Sequence, residues 1–190
     1  EYIASRGYDV YCLDLSGYGR STRPKAMSEP PAANAPVTRT PEAVRDITAV
    51  LNAVLKRRAI PRLNLLGWSW GCALMSITTV QNPGKVARLM LHAPSWIRSK
   101  PPLFNNDGAV QAYRLVSKTA ARESWLTGVP EHKKGELLPA GWFEQWTDAM
   151  WASDPDSGKH NPPLLRAPNG TLADTREFWM NGKALYDPAK

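Results

Sequence analysis

Ser69 lies at the centre of Gly67-Trp68-Ser69-Trp70-Gly71, a G-x-S-x-G pattern. A serine hydroxyl is a weak nucleophile unless it is exposed, aimed and set beside a base. The flanking residues supply the exposure. Leu63, Leu65 and Leu66 precede the pattern as a short buried strand, and Ala73, Leu74, Ile77 and Thr78 follow as one face of a helix. A strand that turns sharply into a helix lifts the residue at the bend above the sheet. Gly67 and Gly71 lack a Cβ, so such a turn closes without a clash. The backbone N–H of Trp70 then falls in the first helical turn, without an intrahelical acceptor and facing any developing negative charge. The pattern predicts Ser69 as nucleophile, Trp70 N–H as one oxyanion donor, and Gly67 and Gly71 as the elbow that positions them. The competing reading is an ordinary strand–turn–helix with an incidental serine. The apolar runs on both sides favour the elbow.

The elements needed to hold that turn are legible on either side of it. Residues 8–13, Tyr-Asp-Val-Tyr-Cys-Leu, are rich in β-formers and read as a strand, preceded by a helix tail ending at Gly7. Asp14-Leu15-Ser16-Gly17-Tyr18-Gly19-Arg20-Ser21 follows. A dinucleotide-binding loop would need a third glycine at position 22, where Thr22 stands, and a helix opening at once, which Pro24 prevents. A glycine-rich turn is the better reading. Thr40 is the expected N-cap of a helix with Pro41 and Glu42 in its first turn. Val44, Ile47, Leu51, Val54 and Leu55 share one face of that helix, and Lys56, Arg57 and Arg58 sit at its negative end. The elbow helix ends near 82–84, and 86–92 is a third strand, stopped by Ala93-Pro94. Strands alternating with helices predict an α/β fold with a parallel sheet.

Beyond Trp96 the character changes. Strand-like runs disappear, and short helix-forming segments at 108–126, 141–152 and 171–184 carry Trp125, Trp142, Trp146, Trp151 and Trp179. This predicts a second, mostly helical unit, with the boundary at 96/97.

Composition narrows the function classes. A chain of 190 residues with 43% hydrophobic residues can bury a sizeable core. The formal charge of +7 comes from 24 basic and 17 acidic residues. The basic residues are scattered and do not interleave with aromatics, which argues against nucleic acid as a partner. No apolar run approaches a membrane span. Cys12 and Cys72 lie in apolar surroundings and read as buried free thiols, which leans towards a reducing, cytoplasmic compartment. The cysteines and three histidines show no metal-ligand spacing. The chain opens on Glu1 without Met and ends on Lys190 in mid-pattern, so it reads as an internal piece of a longer protein, with the leader region undetermined.

The ordered set of motifs resembles the α/β-hydrolase superfamily. In that family a strand ends in D-x-x-G-x-G-x-S, here residues 14–21, and a helix leads to the G-x-S-x-G elbow, here residues 67–71. The elbow helix then leads to a strand ending in small residues and proline, here residues 89–94. Lidded members insert a helical cap next, matching 97 to about 185. The Ser69-Trp70-Gly71 triplet is similar to that of proline iminopeptidases and related esterases. The resemblance implies a partial α/β-hydrolase core over 1–96 and a helical cap or lid with the start of the return to the core over 97–190. It implies a serine hydrolase, without cofactor or metal, that cleaves an ester, amide or short peptide through an acyl-enzyme on Ser69. Trp68, Trp96, Trp142, Trp146 and Trp179 would line the pocket or merely pack. Asp14 falls on a structural turn position of the family. A non-catalytic ligand-binding relative, or a cofactor-free acyltransferase or perhydrolase, shares every motif.

The departures are equally definite. The family's His-Gly oxyanion loop, and the acid and histidine that follow the serine in order, have no counterpart in residues 1–190. His92 reads as a packed residue, and a triad of Asp154 or Asp156 with His160 has no family pattern behind it. The family's sheet places the oxyanion-loop strand between the strands at 8–13 and 63–66. Its lack leaves a gap of roughly 9–10 Å, so the piece alone is expected to be poorly stable and inert.

Overall fold

The computed structural model describes residues 2–94 and 108–180, with side chains of residues 179 and 180 excepted. In chain order the elements are α1 (Tyr2–Ser5), α2 (Thr40–Arg58), β1 (Leu63–Trp68), α3 (Trp70–Gln81) and β2 (Val86–His92). Then follow β3 (Tyr113–Val116), α4 (Lys118–Trp125), α5 (Lys134–Leu137), α6 (Trp142–Ala152), β4 (Leu165–Pro168) and α7 (Gly170–Met180). Short 3-10 turns join several of them.

The predicted β–α–β unit around Ser69 is present. β1 and β2 pair in parallel, Leu65 opposite Leu89 and Trp68 opposite His92, with α3 as the crossover. The helix face read from the sequence is buried as expected: Val44, Ile47, Leu51 and Val54 of α2 are all within 9% exposure. Ala43, Val44 and Ile47 meet Leu74 of α3 in one cluster, with Leu15, Trp70, Met75 and Ile77 against it. Apolar area removed from water here, at about 25 cal/mol per Å², holds α2 against α3, which itself packs on the strand pair. The other face is open: Leu66, Trp68 and Met90 are exposed.

The structure corrects the sequence reading in five places. Residues 8–13 form no strand and join no ladder among the described residues, and Tyr8, Val10, Tyr11 and Leu13 are exposed. β-propensity describes fitness for a pleated, half-buried surface, and it becomes a strand only beside a neighbour. Cys12 is exposed for the same reason, whereas Cys72 is buried as expected. Thr40 is the first residue of α2 rather than its cap. Its N–H donates to Asp174 Oδ2 of α7 at 2.6 Å, and Glu42 accepts from Arg39 N at 2.5 Å.

Fourth, the region after Trp96 is not free of strands. β3 and β4 form an antiparallel pair, Tyr113 opposite Pro168 and Val116 opposite Leu165. Four-residue strands so far apart in sequence carry little periodic signal. Around this pair α4 and α6 bury Ala121, Phe143, Trp151 and Leu165 together. The Trp125 and Trp146 rings lie 4.5 Å apart and Trp125 meets Phe143 edge-on at 5.5 Å. Fifth, Gly71 needs no steric clearance of its own, because a Cβ there would meet nothing within 4 Å.

Two arginines tie the 108–180 region to the rest. Arg166 of β4 is 7% exposed and donates through Nε and Nη2 to Asp154, through Nη1 to Asp156 and to the Met27 carbonyl. Burial raises the Asp154 carboxyl, but its hydrogen bonds from Arg166 and from Asp156 N outweigh that and hold it below the usual carboxylate range. Arg39 bridges to Asp174 and Glu177 of α7. The ion pair with Glu177 chiefly raises its guanidinium, against the pull of burial.

Candidate functional site

Ser69 occupies the bend between β1 and α3 with φ 53° and ψ −120°. A non-glycine residue in that region costs about 1–3 kcal/mol and persists only where its surroundings over-determine it. Three contacts do so here. Ser69 N donates to His92 O at 3.0 Å, which pins the bend to the end of β2. The Cys72 thiol sits 3.1 Å from both Gly67 O and His92 O, under the turn. Gly67 lies so close to α3 that an added Cβ would stand 2.4 Å from Gly71 O and 2.8 Å from Cys72 Cα. The pattern therefore uses its first glycine for contact with the second, and only backbone can occupy that space.

The bend leaves Ser69 exposed. The N–H groups of Trp70 and Gly71, first in α3, have no acceptor among the described residues. They face the same side as any group arriving at the helix N-terminus, where partial positive charge gathers. Trp70 is anchored by its indole, whose Nε1 donates to Thr40 Oγ1 at 3.3 Å. The other face of the elbow is Trp68, 68% exposed.

Trp142 is exposed at the start of α6, and Trp146 packs in the aromatic cluster of the α4–α6 layer. Trp96 and the side chain of Trp179 lie outside the described residues. His92, His132 and His160 are all exposed, and Ser69 Oγ has no hydrogen-bond partner among the described residues. Asp154 is taken up by Arg166 and does not orient His160. Asp14 accepts from Arg20 N at 2.9 Å and closes the glycine-rich turn, the structural role expected for it. No group of three or more His, Cys, Asp or Glu side chains is arranged to hold a metal among the described residues.

Sequence reasoning missed the residues around Pro168. Arg114 of β3 donates through Nη1 to Pro168 O at 3.0 Å and Asn169 Oδ1 at 3.1 Å. The Tyr18 hydroxyl stands 3.4 Å from the same Pro168 oxygen. The only sequence signal was a charged residue within an apolar stretch.

Parallel strands joined through a strained serine turn and a covering helix define an α/β hydrolase, and the chain belongs to that family. The alpha/beta hydrolase fold model matches residues 1–125. The chain is also similar to the Abhydrolase domain-containing protein abhd-5.2 of Caenorhabditis elegans, at 30% identity over 95 residues. That stretch is 50% of this chain and 19% of the relative, so most of the relative's length lies beyond the match. No solved structure matches significantly.

Proposed function

We propose that the protein is a serine hydrolase that cleaves an ester, amide or short peptide through an acyl-enzyme on Ser69. The observation that carries this reading is the strained conformation of Ser69 at an exposed bend. A structural serine gains nothing from φ 53°, ψ −120°, whereas a nucleophile gains exposure and aim. The Ser69 oxygen attacks the acyl carbon, its proton passes to a base, and the carbonyl oxygen becomes an oxyanion. The Trp70 N–H is the donor that receives that charge. The core is 1–96 and the cap 97–190, with the exposed Trp68 and Trp142 available to bound substrate. Membership of the α/β-hydrolase family supports the reading.

A second reading, a ligand-binding relative without catalysis, is favoured by one observation: among the described residues no histidine side chain hydrogen-bonds the Ser69 hydroxyl, His92 meeting Ser69 through its backbone oxygen alone. One experiment separates them. A fluorophosphonate probe labels the full-length protein if Ser69 is activated, and Ser69→Ala abolishes the label with the circular dichroism unchanged. Labelling that survives the substitution assigns the nucleophile elsewhere, and no labelling of the wild type leaves the binding reading.

A further inference from the structure

Thr40 stands where three parts of the chain meet. It opens α2 and is 8% exposed. Its backbone N–H donates to Asp174 Oδ2 of α7 at 2.6 Å, and its hydroxyl oxygen accepts from the Trp70 indole Nε1 of α3 at 3.3 Å. The groups behind Thr40 are themselves held. Asp174 is 2% exposed, and its Oδ1 accepts from Arg39 Nε at 2.6 Å. The preceding backbone is tied in two places: Val37 N donates to Ala112 O at 3.2 Å, and Gly170 N donates to Val37 O at 2.9 Å. Thr38, 3% exposed, donates its hydroxyl to Ser16 O at 2.7 Å. Residues 37–40 are thus pinned from both sides, and the Thr40 hydroxyl is a fixed acceptor.

The residue that uses this acceptor adjoins the nucleophile. Trp70 follows Ser69 and opens α3. Its ring packs beside Ala43, Val44, Ile47 and Leu74. Burial is non-directional, so it keeps the ring on that surface without setting its orientation. The indole nitrogen has a single proton and is a donor only. Thr40 Oγ1 takes that proton, and the bond supplies the direction that burial lacks. The backbone N–H of the same tryptophan is the oxyanion donor in the hydrolase reading. Ser69 itself sits in a strained conformation that lasts only while its surroundings hold it. On the strand side, His92 O accepts from Ser69 N at 3.0 Å. On the helix side, the residue next to Ser69 is held by its indole.

We propose that Thr40 is a positioning residue for the Ser69 elbow: its hydroxyl fixes the Trp70 indole, and through it the bend and the N–H that faces the oxyanion. The effect on catalysis rests on the hydrolase reading, whereas the effect on the geometry of the bend does not.

The test uses the full-length protein and two replacements at one position. Thr40→Val puts a methyl where the hydroxyl stands, and Thr40→Ser keeps the hydroxyl without the methyl. Labelling by a fluorophosphonate at rising concentrations separates its maximal rate from its half-saturating concentration. Loss of an oxyanion donor itself costs about 10²–10³ in rate. Thr40 acts on that donor at one remove through one neutral hydrogen bond, so Thr40→Val lowers the maximal rate about three- to tenfold. The half-saturating concentration in Thr40→Val, and both values in Thr40→Ser, stay within about twofold of wild type. Trp70→Phe removes the indole donor and keeps a ring in the apolar cluster. Adding Thr40→Val to it lowers the rate no further, because the two act through one bond.

The bend is read without chemistry from the backbone amide NMR signals of Ser69 and Trp70. Thr40→Val shifts them, and Thr40→Ser leaves them near their wild-type positions. If the wild type is not labelled but these signals move in Thr40→Val alone, the hydrolase reading fails and the positioning role stands. A threonine that only stabilises the fold lowers the urea midpoint and leaves the labelling rate of the folded protein and the amide signals alone. That result overturns the proposal, as do equal losses of rate in Thr40→Val and Thr40→Ser. Should Thr40→Val not fold, Trp70→Phe carries the same expectations for rate and for the Ser69 amide.

Discussion

Removing the carboxylate of Asp154 tests how the 108–180 region is held. Asp154 is 2% exposed and accepts four hydrogen bonds: from Arg166 N at 2.9 Å, Arg166 Nε at 3.1 Å, Arg166 Nη2 at 2.6 Å and Asp156 N at 3.1 Å. Asp154→Ala leaves the Arg166 guanidinium buried with Asp156 and the Met27 carbonyl as its remaining partners. Breaking one side of a buried pair costs about 3–5 kcal/mol. Asp156 stays in place and is partly exposed, so the lower end applies, about 3 kcal/mol. For a chain of this size that is a fall in Tm of roughly 6–12 °C. Replacing both partners, Asp154→Ala with Arg166→Met, removes the stranded charge, so the double variant is more stable than the single one. The pH dependence follows from the direction of the shift. The Asp154 carboxyl is depressed in the folded protein, so its contribution is complete above the unfolded value near 3.9 and is lost as pH falls from there through the folded value. The gap between wild type and Asp154→Ala in urea unfolding is therefore constant from about pH 5 to 8 and narrows below about pH 4. A single variant within about 1 kcal/mol of wild type at pH 7, or a gap that widens on acidification, refutes the reasoning.

Two further substitutions probe backbone geometry. Ala59 closes α2 in the left-handed region at φ 50°, ψ 41°. Ala59→Gly removes the Cβ strain there and stabilises by about 0.5–1 kcal/mol after the entropy of glycine is offset, read as a higher urea midpoint. A lower midpoint would show that the Ala59 Cβ packs favourably. A Cβ on Gly170 would stand 2.1 Å from Thr38 O and 2.6 Å from Arg39 N, both backbone atoms. Gly170→Ala therefore costs about 1–3 kcal/mol or more and speeds limited proteolysis between the core and the 108–180 region. Unchanged cleavage would mean that the two backbones separate freely.

The sequence showed the β–α–β unit because each element carries its own signal. Val44, Ile47, Leu51 and Val54 repeat at helical spacing, and Gly67 and Gly71 bracket Ser69 between an apolar strand run and an apolar helix face. What stayed hidden depends on neighbours. Tyr8, Val10, Tyr11 and Leu13 have strand chemistry without a paired strand, and Cys12 is exposed with them. β3 and β4 are too short to show alternation, and their pairing joins Tyr113 to Pro168. At the start of α2 the sequence points to Thr40 as the cap, the nearest residue of suitable type, whereas the carboxylate that accepts from it comes from Asp174. Arg114 was invisible because its meaning is set by Pro168 and Asn169, more than 50 positions further along.

The long reach of that cap has a consequence for synthesis on the ribosome. Thr40 and Asp174 are 134 positions apart. At about 5–20 residues per second, the N-terminus of α2 leaves the exit tunnel roughly 7–27 s before its capping carboxylate does. Over that interval the first helical turn has only Glu42 from its own segment to steady it. The Thr40 hydroxyl that receives the Trp70 indole belongs to that unsteady turn. The nascent chain therefore forms the hydrophobic contact of α2 with α3 first. It docks α7 on the N-terminus of α2 last, when Asp174 emerges.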